Sequence, residues 1–71
     1  MRYEIRLIKN AELTLLGTLL GATDDAAEAK QIADDNSTFQ WGSAIVDRQN
    51  ETVDWGGGIE SLDGIEIEAS L

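Results

Sequence analysis

Apolar residues recur along this chain with different periods, and each period predicts an element. Residues 2–9 alternate, with Tyr3, Ile5 and Leu7 facing one way and Arg2, Glu4 and Arg6 the other. A period of two is that of a half-buried strand, and Asn10-Ala11-Glu12 supplies a turn after it. The tetrapeptide Thr-Leu-Leu-Gly then occurs twice within residues 13–22. A four-residue period suits a helical stripe, but Gly17 and Gly21 would each cost a helix about 1 kcal/mol relative to alanine. The segment is therefore expected to be a strand pairing back onto residues 2–9, with Gly17 at a bulge or bend.

From Ala22 the period lengthens to that of a helix, with Ala22, Ala26, Ala29 and Ala33 in one row and Ile32 beside them. Thr23-Asp24-Asp25 places a capping side chain and negative charge at the positive end of the helix dipole. Asn36-Ser37 stops the helix near Asp35. Residues 38–47 return to a strand pattern, with Phe39 and Trp41 on one parity, Ala44 and Val46 on the other, and Gly42 as a bulge between the two sets. A hairpin turn at Arg48-Gln49-Asn50 leads to a strand over 51–55 with Val53 and Trp55 inward. Gly56-Gly57-Gly58 reads as a joint, residues 59–64 as a loop or single turn, and residues 65–69 as a last alternating strand with Glu66 and Glu68 outward. The order ββαβββ predicts an α+β domain, a single helix on one face of a mostly antiparallel sheet of four to five strands. The other sheet face is expected to be partly open to water, which antiparallel sheets tolerate.

Composition narrows the function classes. The 71 residues make one domain. A chain this short buries only about 60% of its unfolded surface, so an enclosed small-molecule cleft of roughly 300 Å³ or more is hard to accommodate. There is no cysteine and no histidine. Thiolate metal sites, disulfides and the usual neutral-pH general base are therefore missing. The serines Ser37, Ser43, Ser61 and Ser70 have no histidine to activate them. Neither a signal-peptide run nor an apolar stretch of about 18 residues is present. The expected location is the cytoplasm, where the triplets at Asn36 and Asn50 are not glycosylated.

Charge is the strongest compositional signal. The formal net charge is −9, and residues 24–71 carry twelve acids against Lys30 and Arg48 alone. Such a chain repels nucleic acid and anionic membranes and attracts cationic surfaces. Paired carboxylates at Asp24-Asp25, Asp34-Asp35 and Glu66/Glu68 lack the cleft that would split their pKa values for acid–base catalysis. Asp63-Gly64-Ile65-Glu66 is a fragment of a calcium loop, and the triple glycine lacks the following helix of a phosphate cradle. No catalytic residue, metal or cofactor is expected. Trp41 and Trp55 suit either a cross-strand core pair or, with one exposed, an interface anchor rimmed by Asp47, Glu51 and Asp54.

Three segments, Ala29-Lys30-Gln31-Ile32-Ala33, Phe39-Gln40-Trp41-Gly42-Ser43-Ala44-Ile45-Val46-Asp47 and Glu51-Thr52-Val53-Asp54-Trp55, together resemble small phage-encoded anti-CRISPR proteins, in particular an inhibitor of type I-F surveillance complexes. The resemblance covers about residues 26–55. It implies an N-terminal hairpin, one helix with an Ala-Lys-x-Ile-Ala segment, an aromatic-Gly hairpin, and action in a bacterial host cytoplasm. The family member concerned is basic, so none of its contact residues transfers to this acidic chain. Surveillance complexes hold nucleic acid in Lys/Arg grooves. An acidic inhibitor could occupy such a groove as a DNA mimic, binding protein and not nucleic acid. The expected partner-binding residues are Asp47, Glu51, Asp54, Trp55, Glu60, Asp63, Glu66 and Glu68. The alternative is a non-inhibitory adaptor or small bacterial protein, a monomer or a homodimer joined through an open sheet face.

Overall fold

The alternating N-terminal segment forms β1, Tyr3–Ile8, and the Leu-rich repeat forms β2, Leu15–Thr23, which pairs antiparallel with it. The computed structural model describes residues 1–38 and 40–68. Phe39, expected on a strand face with Trp41, and Ala69, the expected end of the last strand, lie outside these. Helix α1 spans Ala26–Asp35 and begins as the sequence predicts: the Asp25 carboxylate caps it, accepting the backbone N–H groups of Ala27 (2.8 Å) and Glu28 (3.3 Å). Ser43–Asp47 (β3) and Thr52–Asp54 (β4) form a hairpin, followed by Ile59–Ser61 (β5) and Glu66–Ile67 (β6).

The strands make one six-stranded sheet in the order β5-β4-β3-β1-β2-β6. Four of its pairings are antiparallel and one, β2 with β6, is parallel. The α+β class with one helix is as expected, whereas the strand count is larger. Residues 59–61, expected as loop, are a strand paired with β4. The triple glycine is a hairpin turn closed by the Trp55 N–H donating to the Gly58 carbonyl at 3.1 Å. The strand expected over 38–47 begins only at Ser43, because Gly42 takes a left-handed backbone (φ 78°) that ends the extended run.

Chain length forces the sheet to curl. Its two edge strands, β5 and β6, are consecutive and separated only by residues 62–65. Five residue steps reach at most about 18 Å, whereas six flat strands would hold the two edges about 24 Å apart. Curling is concentrated in β2, whose register with β1 shifts twice: Ile5 faces Gly21, Arg6 faces Leu19 and Ile8 faces Leu16. Each shift gives β2 an extra residue, a bulge that bends the strand, in the region where the sequence predicts one at Gly17.

Curling gives the domain two apolar layers. On the inside of the curl, Ile8, Leu16, Ala44, Val46 and Val53 form the core, with Leu13, Trp55, Leu62, Ile65 and Ile67 packed against it. On the outside, α1 lies across β2, β1 and β3 and buries Ile5 and Ala29. Gly21 permits this approach, since a Cβ there would stand 3.0 Å from Ile32 Cγ2. The face expected to open to water is thus the core face. What the helix leaves uncovered is the outer flank of β3, β4 and β5.

Candidate functional site

Where the helix stops short of the sheet edge, a broad depression of about 660 Å³ remains. One wall is the α1 flank of Ala26, Ala29, Lys30, Ala33 and Asp34. The floor is β3 and β4, through Ser43, Ile45, Thr52 and Asp54, and the far wall is Trp41, Trp55 and Ile59. The size exceeds what the chain length predicts because this is an open groove on a surface and not an enclosed cleft. Ser43 fixes the helix end against the floor by donating from its hydroxyl to the Ala33 carbonyl at 3.1 Å. Trp41 and Ile59 are two of the few large apolar side chains left exposed, at 41% and 69%.

The tryptophans do not form a cross-strand pair. Ile45 faces Asp54 in the β3–β4 register, so Trp55 lies just beyond β4 and Trp41 lies in the bend before β3. Trp55 packs against the core, and its indole N–H donates to the Glu60 carboxylate at 3.0 Å. Trp41 is the exposed one. Its strand-like composition concealed this, and the adjoining Gly42 was the available signal.

The acidic residues singled out from sequence divide by what holds them. Asp47 is committed to the fold: it accepts from Arg2 Nε (3.1 Å) and Nη2 (3.0 Å), and from the backbone N–H groups of Gln49 and Asn50, organising the β3–β4 turn. Asp54 accepts the Gly56 N–H at 2.8 Å while lining the groove. Glu60 holds Trp55, and Glu68 pairs with Lys9 at 3.7 Å across Gly17. Glu51, Asp63 and Glu66 are exposed. Glu51 sits in the left-handed region (φ 53°) at the end of the β3–β4 turn. These residues are not one patch: Asp54 belongs to the outer groove, while Glu66 and Glu68 lie at the β6 edge.

Positive charge is consumed internally. Arg2 pairs with Asp47, Arg6 and Arg48 both pair with Glu4, and Lys9 pairs with Glu68. Among the described residues Lys30 is the one base without an ion pair. Three acids serve these bridges, leaving eleven of the fourteen outside any ion pair. No group of three or more metal-ligating side chains is assembled among the described residues, and no described helix is long and apolar enough to cross a membrane.

Two of the bridged acids tie stability to pH. The hydrogen bond from Arg2 holds the Asp47 carboxyl below its ordinary range; burial opposes this, and the Asn50 and Gln49 N–H groups reinforce it. Burial pushes Glu4 upward, but hydrogen bonds from Arg48 and Arg6 outweigh it and leave its value lowered. A carboxyl with a depressed folded value contributes stability that is complete above its unfolded value and lost as pH falls through the folded one. The thermal midpoint should therefore drop on acidification below about pH 4, with a shallower dependence in Asp47→Asn. Melting curves of the two proteins that run parallel through this range would refute the assignment.

No protein-family model, no curated protein and no solved structure matches this chain, so the reading of its function rests on the residues and geometry described above.

Proposed function

We propose that this domain is a protein-binding inhibitor that occupies a basic nucleic-acid-binding surface, as an anti-CRISPR protein acting on a surveillance complex would, and so excludes DNA. The observation that carries this reading is the one-sided use of charge. Four of the five bases are bound within the domain, and eleven carboxylates remain outside ion pairs. A surface of this kind steers toward Lys/Arg grooves, with fast association that weakens as salt screens it. Glu51, Asp63 and Glu66 suit the role best among the expected residues, being exposed and outside the ion pairs. No catalytic step is invoked.

The test is capture of a purified type I surveillance complex by the tagged domain, with and without target DNA. Capture should occur without DNA, fall when DNA is bound first, and decline with added salt. The double reversal Asp63→Lys, Glu66→Lys should weaken it by roughly tenfold or more. Capture that ignores both DNA and this reversal would remove the proposal.

A further inference from the structure

We infer that the open edge of β5, beside the groove, is a peptide-docking site, taking an extended basic segment of a partner protein as an added strand. This rests on the domain's being a binder of cationic partners, but not on that partner's being a nucleoprotein.

The backbone carries the first part of the argument. Trp55 N–H donates to the Gly58 carbonyl (3.1 Å) and Leu62 N–H to the Glu51 carbonyl (3.0 Å). In an antiparallel ladder, hydrogen-bonded and non-bonded pairs alternate. With Asp54 facing Ile59, Val53 facing Glu60 and Thr52 facing Ser61, the bonded pair in β5 is Val53–Glu60. The N–H and C=O groups of Ile59 and Ser61 therefore point away from β4, toward the open edge of the sheet. All three residues of β5 are exposed, and β5 is an edge strand of the sheet. A row of this kind is a template for strand addition.

Side chains supply the second part. An added strand would run beside Ile59, whose exposed side chain lines the adjoining groove together with Trp41. Charge selects the occupant. Asp34, Asp47 and Asp54 line the adjoining groove against Lys30 alone, and Glu60 stands on β5 itself, so Lys or Arg beside the apolar anchor is favoured. A second copy of the chain is disfavoured by the same charges. Edge-to-edge pairing through β5 would set two copies of Glu60 side by side, and like charges directly opposite are destabilising, in molecules that each carry −9.

The test uses the whole chain and a capped Lys-Val-Lys-Val-Lys peptide, followed by amide NMR spectra and tryptophan emission. The peptide should slow exchange at the Ile59 and Ser61 amides and shift Trp41 emission to the blue. The same peptide N-methylated at every residue, which keeps the charge and side chains but has no backbone N–H to donate to a ladder, should bind roughly tenfold more weakly or worse. Trp41→Ala combined with Ile59→Ser should produce a loss of similar size. Both side chains are exposed, and an unchanged circular dichroism spectrum would confirm that the fold persists. Equal binding of the two peptides would overturn the proposal. So would protection of the Ile59 and Ser61 amides by self-association without peptide. Loss of binding in Asp63→Lys, Glu66→Lys with none in the groove variant would also overturn it, while leaving capture of basic surfaces standing.

Discussion

Leu16→Ala is expected to remove about 3–5 kcal/mol of stability, enough to leave much of the protein unfolded at 37 °C. Leu16 is completely buried on the inside of the curl, among Ile8, Ala44, Val46 and Val53. It also sits at the second register shift of β2 and pairs on its other side with Ile67 of β6. Its side chain thus contacts the core at the point where both pairings of β2 meet, and the bulged backbone cannot easily collapse into the space left. A domain of this length has roughly 4–10 kcal/mol in total, so the loss is a large part of the whole. Urea unfolding followed by tryptophan emission measures it through the midpoint. A cost under about 1 kcal/mol would mean that the inner layer is not a close-packed core.

Arg6→Met is the second large effect, expected at about 2–4 kcal/mol. Arg6 is buried to 9% exposure on the core face of β1, an unusual place for a guanidinium. It donates from Nη1 to the Gly17 carbonyl at 2.9 Å and from Nε to Glu4 at 3.3 Å. Bulging of β2 turns the Gly17 carbonyl away from the ladder, and the arginine satisfies it there. Methionine keeps the length of the side chain but leaves that carbonyl and part of the Glu4 carboxylate without a donor in a poorly hydrated place. A cycle with Glu4→Gln separates the two contributions. If the double variant costs the full sum of the singles, Glu4 and Arg6 are energetically independent, and the other contacts of Arg6, the Gly17 carbonyl among them, carry the effect.

What the sequence revealed depended on whether the relevant interactions were local. The helix was legible because its cap, Asp25, and its alanine row are written in consecutive residues. The pairing of β1 with β2 was legible because alternation in one strand is followed by glycine-tolerant apolar residues in the next. β5 was not, because Ile59, Glu60 and Ser61 are all exposed and a strand without a buried face leaves no alternation to read. The parallel pairing of β6 with β2 was equally hidden, since an apolar pattern fixes which face is buried and not which neighbour lies alongside. The groove was missed for a related reason. Its lining comes from the helix, four strands and a bend, and its most telling residue, Trp41, has the composition of a core aromatic. Of the acids, sequence identified the right types, but only coordinates separate Asp47, which organises a turn, from Asp63 and Glu66, which stand clear of any ion pair.

The pairing of β2 with β6 also sets the order of events during synthesis. β2 is made before α1, β3, β4 and β5, and the strand that completes its flank emerges only after all of them. Until then the emerging chain exposes a long, Leu-rich strand with an unfilled side, the kind of intermediate that adheres to other nascent chains. The abundance of carboxylates in the later two-thirds would at that stage hold incomplete copies apart by like-charge repulsion, whatever partner the finished domain meets.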